Sequence, residues 1–281
     1  MDVVSSIQEM EKVSIELRNR ESVIGFVPTM GYLHEGHLSL IDLVREKSDF
    51  IILSIFVNPI QFGVGEDLER YPRDLEHDLS LCRERGVDCV FVPTVDQMYP
   101  EDASTYVSEE SIGTGLCGQA RPTHFRGVTT ICAKLFNICR PNFVAFGQKD
   151  AQQVVVIKRM VRDLHFPLEI LVGPTVREPD GLAMSSRNSY LNEKQRVDAQ
   201  LIRQALFAGQ RLVDEKGIRN VDRIKAEVIS ILSQGRFIRV NYAEIVNREN
   251  MLPETEIEPG QSMLVVAVWI DSIRLIDNQP L

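Results

Sequence analysis

Short apolar runs alternate with helix-period segments through the first 174 residues, and that alternation restricts the fold more than any other feature. The runs are VIGFVP at 23–28, FIILSIFV at 50–57, DCVFVP at 88–93, NFVAFG at 142–147 and LEILVGP at 168–174. Each is short and almost continuously apolar, so each predicts a strand buried on both faces. Between them lie GHLSLIDLVREK, RDLEHDLSLCRERG, VTTICAKLFNIC and AQQVVVIKRMVRD, whose apolar residues recur every three or four positions and predict helices. Residues 3–18 predict a further helix before the first strand. Parallel neighbours need a crossover, and a helix supplies it, so the pattern predicts an α/β fold with a parallel sheet covered on both faces.

Beyond residue 174 the pattern changes. A loop, PTVREPDGLAMSSRNSYL, precedes two long polar-faced helices, then RFIRVNYAEIVN and SMLVVAVWIDSIRLIDN. The last segment predicts an antiparallel hairpin turning near Asp271 and Ser272. A proline-flanked change of architecture near Gly173 and Pro174 predicts two domains, 1–173 and a smaller 174–281.

A net charge of -9 opposes a broad phosphate-backbone footprint, which needs clustered Lys and Arg, so nucleic acid is not expected as a partner. The five cysteines are odd in number and lack CxxC spacing, which argues against a disulfide framework or a zinc site. MDVVSSIQEMEK has no basic segment followed by an apolar one, and no run approaches the length of a membrane span. A cytoplasmic protein without membrane association is expected.

Several segments fall where a parallel sheet binds ligands, beyond the carboxyl ends of its strands. His34 and His37 are three apart at a helix start, so both imidazoles can face one phosphate, and Gly36 leaves room beside them. Helix capping accounts for the same spacing. Lys149 follows a strand and Asp150 opens the next helix, an N-cap position, while Gln153 lies about a turn further on. Ser185, Ser186 and Arg187 bring two hydroxyls and a guanidinium to a long loop, a set suited to a triphosphate but also common in surface turns. Asn58 and Gln61 offer amides that can read hydroxyl and carboxylate groups of a small substrate. Arg121, His124 and Arg126 precede a helix and form a weaker anion-binding or dimer-contact candidate.

The ordered segments PTMGYLHEGH, SIFVNPIQF, YPRD, HFRGV, KLFNI, FGQKDAQQ and GLAMSSRN closely resemble the pantoate:β-alanine ligase family of HIGH-motif nucleotidyltransferases. The resemblance spans roughly residues 20–190, and the tail VAVWIDSIRLIDN fits as well. It implies a Rossmann-like domain, a smaller C-terminal α/β domain containing the antiparallel hairpin, and a homodimer. The implied reaction joins (R)-pantoate to β-alanine through a pantoyl adenylate, converting ATP to AMP and pyrophosphate with Mg2+.

Carried over by motif, the resemblance implies that His34 and His37 stabilise the pentacoordinate α-phosphate, His37 being the active residue, with Lys149, Ser185 and Arg187 as further catalytic groups. It implies ATP binding by Met30, Gly31, Tyr32, Leu33, His34, Glu35, Gly36 and His37, and by Gly147, Gln148, Lys149 and Asp150. Val176, Met184, Ser185, Ser186 and Arg187 are implied to close on ATP as the KMSKS loop does in related synthetases. Gln61 and Gln153 are implied to bind pantoate, Gln61 also lying near β-alanine, with Asn58 beside them.

Three residues depart from the family pattern: Thr123 stands where RPGHF is usual, Gln148 where Glu is frequent, and His77 where an acidic residue is expected. The last leaves the protein's metal ligands open. Activation at the α-phosphate is chemically sensible, because expelling oxide from a carboxylate is prohibitive whereas AMP is a good leaving group. No covalent enzyme intermediate is required, so neither the cysteines nor Ser185 is read as a nucleophile. A nucleotidyltransferase that stops at an adenylate or transfers AMP to a phosphate substrate, and a nucleotide-sensing module, are the alternatives.

Overall fold

The computed structural model describes residues 1–281. The chain runs β1 (Asp2–Val4), α1 (Ile7–Asn19), β2 (Ile24–Thr29), α2 (Glu35–Arg45), β3 (Phe50–Ile55), α3 (Leu75–Glu84), β4 (Cys89–Phe91), α4 (Val95–Met98), α5 (Cys117–Ala120), α6 (His124–Cys139), β5 (Phe143–Gly147), α7 (Ala151–Asp163) and β6 (Glu169–Gly173). It continues through α8 (Glu193–Asp214), α9 (Val221–Leu232), β7 (Ile238–Asn247), β8 (Ser262–Ile270) and β9 (Ile273–Pro280).

Six strands form one parallel sheet in the order β1-β4-β3-β2-β5-β6. Alternate residues of these strands enter two different cores, which is why the apolar runs are continuous. Phe26 and Ile52 join Met10 of α1, Phe136 of α6 and Ile157 of α7 on one face. Val27 and Leu53 join Ile41 of α2 and Cys82 of α3 on the other. Phe26 is wholly buried, so its truncation to Ala is expected to cost about 3–5 kcal/mol.

The first element departs from expectation. Residues 2–4 form β1 beside β4, and the helix begins only at Ile7. Val3 and Val4 favour an extended backbone, and the Ser6 hydroxyl accepts from the Glu9 N–H at 3.2 Å, which starts the helix there. The sixth helix also begins earlier than the apolar period implies, at His124, so His124 and Arg126 are helical rather than part of a preceding loop.

The remaining three strands form an antiparallel sheet, β7-β8-β9, with the expected turn at Asp271 and Ser272. Helices α8 and α9 cover one face, where Ile202, Leu206, Ile224 and Val228 meet Leu264, Val266 and Val268. A smaller cluster joins α7 to the antiparallel sheet: Ala151, Val155 and Val156 share it with Val246, Met263 and Val265.

The topology also makes a crevice. From β2 the chain moves to β3 and β4 on one side, then returns to β5 and β6 on the other. Pairing of β2 with β3 continues to Thr29, whereas pairing with β5 is confined to Gly25 and Phe26. Pro28 has no N–H with which to extend a ladder, and β2 and β5 part at their carboxyl ends. Ligands of open parallel sheets bind at such a reversal of strand order.

Candidate active site

A cavity of about 740 Å3 lies beyond these strand ends. The end of β2 contributes Met30, His34 and His37, the end of β3 Asn58 and Gln61, the end of β5 Gly147 and Lys149, and the loop after β6 Val176 and Met184 to Arg187. Gly36, Asp150 and Gln153 also line it, so three segments far apart in sequence meet around one space. The predicted residues Gly31, Tyr32, Leu33, Glu35 and Gln148 do not line this cavity. Tyr32 and Leu33 border a smaller adjoining pocket with His34 and Ser186. Glu35 instead pairs with Arg85 on the surface at 2.8 Å.

The two histidines are set by the start of α2. The Nδ1 of His34 accepts from the Gly36 N–H at 3.2 Å, and the Nδ1 of His37 accepts from the His34 N–H at 3.3 Å. A ring nitrogen that accepts carries no proton, so each neutral imidazole bears its proton on Nε2. Burial, aided by the Lys149 charge, lowers His34 to about 4. Burial and the neighbouring His34 hold His37 well below the ordinary histidine value. Both are therefore neutral at pH 7. Gly36 has a nearer purpose than admitting a ligand: a Cβ there would stand 2.9 Å from Cε1 of His34, displacing the ring.

One carboxylate that sequence reasoning missed supports this turn. Asp78 is buried on α3, and its oxygens accept from the Tyr32 N–H at 2.8 Å and the Leu33 N–H at 2.7 Å. Burial raises its pKa, with the two amides opposing that rise. Asp78 falls four residues before buried Cys82, and an acid on the inward helix face is the sequence signal that could have identified it. His77 next to it is exposed and away from the cavity.

Asn58 and Gln61 are held as a pair. Asn58 Nδ2 donates to Gln61 Oε1 at 2.9 Å and to the Gly127 carbonyl at 3.1 Å, while the Tyr99 hydroxyl donates to Asn58 Oδ1 at 2.8 Å. Asn58 thus has its amide engaged within the protein. Gln61 Nε2 meets only the Met30 sulfur, at 3.2 Å, a weak acceptor that a substrate oxygen can replace. His124 Nδ1 donates to the Gln61 carbonyl at 2.9 Å when Nε2 is the unprotonated nitrogen, and burial lowers its pKa to about 3. Thr123 has φ −98 and ψ −6, an ordinary helical conformation that needs no glycine.

Lys149 lies in a 3-10 turn, Gln148–Asp150. Asp150 precedes α7 but its side chain makes no capping hydrogen bond; it lies 3.7 Å from the Lys149 ammonium instead. The Gln152 amide is consumed by Ile112, Gly115 and Cys117, whereas Gln153 faces the cavity.

The loop after β6 folds back on itself, with the Met184 N–H bonded to the Val176 carbonyl at 2.9 Å. Ser185 accepts from the Arg187 N–H at 3.3 Å and opens a 3-10 turn through Tyr190. Arg187 forms two bonds of 2.8 Å with Asp67, a partner on the opposite wall that no local pattern marked. Asp277 of β9 grips Arg177 of the same loop through bonds of 2.6 and 3.1 Å.

No group of three or more His, Cys, Asp or Glu side chains is arranged to hold a metal ion. Asp67 and Asp150 are carboxylates on the cavity wall. No helix is long and apolar enough to cross a membrane.

The sequence model of the pantoate-beta-alanine ligase family matches residues 2–280. The pantothenate synthetase of Thermotoga petrophila is 50% identical over 278 residues, covering 99% of each chain. Among solved structures, the pantothenate synthetase of Thermus thermophilus superposes with a TM-score of 0.93 at 42% identity, covering 99% of each chain. The pantoate-beta-alanine ligase of Francisella tularensis, complexed with beta-gamma ATP and beta-alanine, gives 0.83 at 32% identity, covering 100% of this chain and 97% of its own.

Proposed function

Since the chain belongs to the pantoate-β-alanine ligase family, we propose that it condenses (R)-pantoate with β-alanine to pantothenate, using ATP and releasing AMP and pyrophosphate. The observation that carries this reading is the meeting of His34, His37, Lys149 and Ser185 to Arg187 in one cavity large enough for a nucleotide.

In the first step a pantoate carboxylate oxygen attacks the α-phosphorus, and pyrophosphate leaves. His34 and His37 donate through Nε2–H to the oxygens on which charge develops, and neutral rings do so without competing for the carboxylate. Lys149 and Arg187 balance phosphate charge, with the Ser185 and Ser186 hydroxyls donating beside them. Gln61 and Gln153 bind pantoate, and Asn58 holds the Gln61 amide in orientation. In the second step the β-alanine amine attacks the acyl carbon and AMP leaves. Met30, Gly36, Gly147, Asp150, Val176 and Met184 complete the ATP site, with the 31–33 turn and Gln148 supporting it from behind.

Mg2+ is proposed to accompany ATP, where it neutralises triphosphate charge. Of the wall carboxylates, Asp67 is taken by Arg187, and Asp150 would suit a cation that keeps most of its waters and phosphate oxygens. The two-unit division, 1–173 and 174–281, is supported by the separate cores on the parallel sheet and beneath α8 and α9. A homodimer in the cytoplasm completes the reading; light scattering tests the first part.

The test is pyrophosphate release from ATP. It is expected to require pantoate, with pantothenate appearing only when β-alanine is added. Folded protein that shows neither activity contradicts the proposal, and a stable dinucleotide product favours a nucleotidyltransferase.

A further inference from the structure

We infer that Asn278, near the end of the chain, is a positioning residue for Lys149; this deepens the ligase reading and rests on it. Asn278 is 4% exposed and belongs to β9, on the other sheet and 129 residues from Lys149 in sequence. Its Nδ2 donates to the Gln148 carbonyl at 2.9 Å and to the Lys149 carbonyl at 3.0 Å. Its Oδ1 accepts from Gln148 Nε2 at 3.1 Å. The whole amide is thus spent on the turn that presents Lys149.

That turn needs an outside support. It is a three-residue 3-10 segment between β5 and α7, and Asp150 does not cap the helix that follows. Short 3-10 segments have poor internal hydrogen-bond geometry, so two carbonyls held by a buried amide fix the backbone far better than the turn alone. The lysine side chain has four rotatable bonds, and its ammonium can be aimed only as well as its backbone is fixed.

The neighbouring residue extends the same device to the opposite wall. Asp277 is 3% exposed, accepts from the Asn278 N–H at 2.8 Å, and holds Arg177 in the loop that carries Ser185 to Arg187. Successive residues of β9 thereby hold both the lysine turn and the hydroxyl-rich loop. The Lys149 charge already reaches His34 and His37, so a shift of the turn changes the field at the histidines as well.

The experiment is a double-mutant cycle on pantoate-dependent pyrophosphate release, using Asn278→Ala, Lys149→Ala and the double variant, with circular dichroism to establish folding. Asn278→Ala is expected to lower kcat about 10- to 100-fold, the effect of misplacing a reacting group by about an ångström. The pantoate KM, set by Gln61 at the end of β3 and by Gln153 within the hydrogen-bonded frame of α7, is expected to stay within about twofold. In the Lys149→Ala background the same substitution is expected to cost no more than about twofold, because the group it positions is gone. Gln148→Ala, which removes the reciprocal hydrogen bond, gives a smaller loss with the same dependence on Lys149 and supplies a second reading if Asn278→Ala does not fold. Equal losses in both backgrounds, or no loss at all from folded Asn278→Ala, overturn the inference while leaving the ligase reading intact. An inactive parent protein overturns both.

Discussion

His34 and His37 are oriented by the same turn of backbone: each Nδ1 accepts a main-chain N–H, and the ring centroids lie 4.1 Å apart. The arrangement unites two readings that the sequence left open. The histidines cap the helix with one nitrogen and keep the other free as a donor, so the structural role enables the chemical one.

Removal of that donor is expected to affect turnover more than binding. His37→Ala should lower kcat by about 100- to 1,000-fold, as loss of a transition-state donor does, with ATP affinity changed only a few-fold. Steady-state kinetics with a separate equilibrium measurement of ATP binding checks this. Equal losses in both would count against a role specific to the transition state.

The pH dependence follows from the lowered histidine pKa values. His34 is lowered from 6.5 to about 4 and His124 to about 3, chiefly by burial. Between those values and 6.5 the unfolded chain binds protons that the folded chain refuses, so stability falls as pH decreases through this window and is insensitive to these groups above it. Thermal midpoints should decline from pH 6.5 toward pH 4, while kcat of folded enzyme shows no limb near 6.5 from either active-site histidine. An acid limb at the ordinary histidine value that disappears in His37→Asn would show that His37 titrates normally.

Arg187 and Asp67 are bonded in the structure, yet Arg187 is assigned to the phosphates. Release of the arginine from Asp67 therefore competes with closure on ATP. Asp67→Asn weakens that competitor and is expected to tighten ATP binding by up to about fivefold, the worth of a partly exposed ion pair. Isothermal titration with a non-hydrolysable ATP analogue measures it; weaker binding would mean that Asp67 itself contributes to the nucleotide site.

Gly127 lies directly against the pantoate-binding segment. A Cβ there would stand 2.6 Å from Gln61 Cα and 2.7 Å from Gln61 N. Backbone atoms cannot turn aside as a side chain does, so Gly127→Ala is expected to destabilise by about 1–3 kcal/mol and to raise the pantoate KM. Denaturation curves and pantoate titrations test both parts, and an unchanged KM would separate this contact from substrate binding.

These contacts indicate which features were legible before the fold was seen. The strands that became β2 to β6 were evident because each meets a core on both faces, and α2, α3 and α7 showed their inward stripe directly. β1 was hidden because three residues carry too little pattern to compete with the helix that follows. The histidines, Lys149 and the Ser185 to Arg187 segment stood at strand ends or in a polar loop, where a ligand is expected. Their supports were less visible. Arg187 and Asp67 are 120 residues apart, and no local period links them. Asp277 did leave a trace, since it shares the inward phase of β9 with Ile273 and Leu275, and a carboxylate in that phase demands a cation. Asn278 broke the alternation and gave no comparable sign.

Oxygen transfer tests most directly whether these groups converge to activate a carboxylate at the α-phosphate. With pantoate labelled by 18O in its carboxyl group, mass spectrometry of the products should find one labelled oxygen in AMP and none in pyrophosphate. Label in inorganic phosphate, or unlabelled AMP from an active enzyme, would contradict attack at the α-phosphorus.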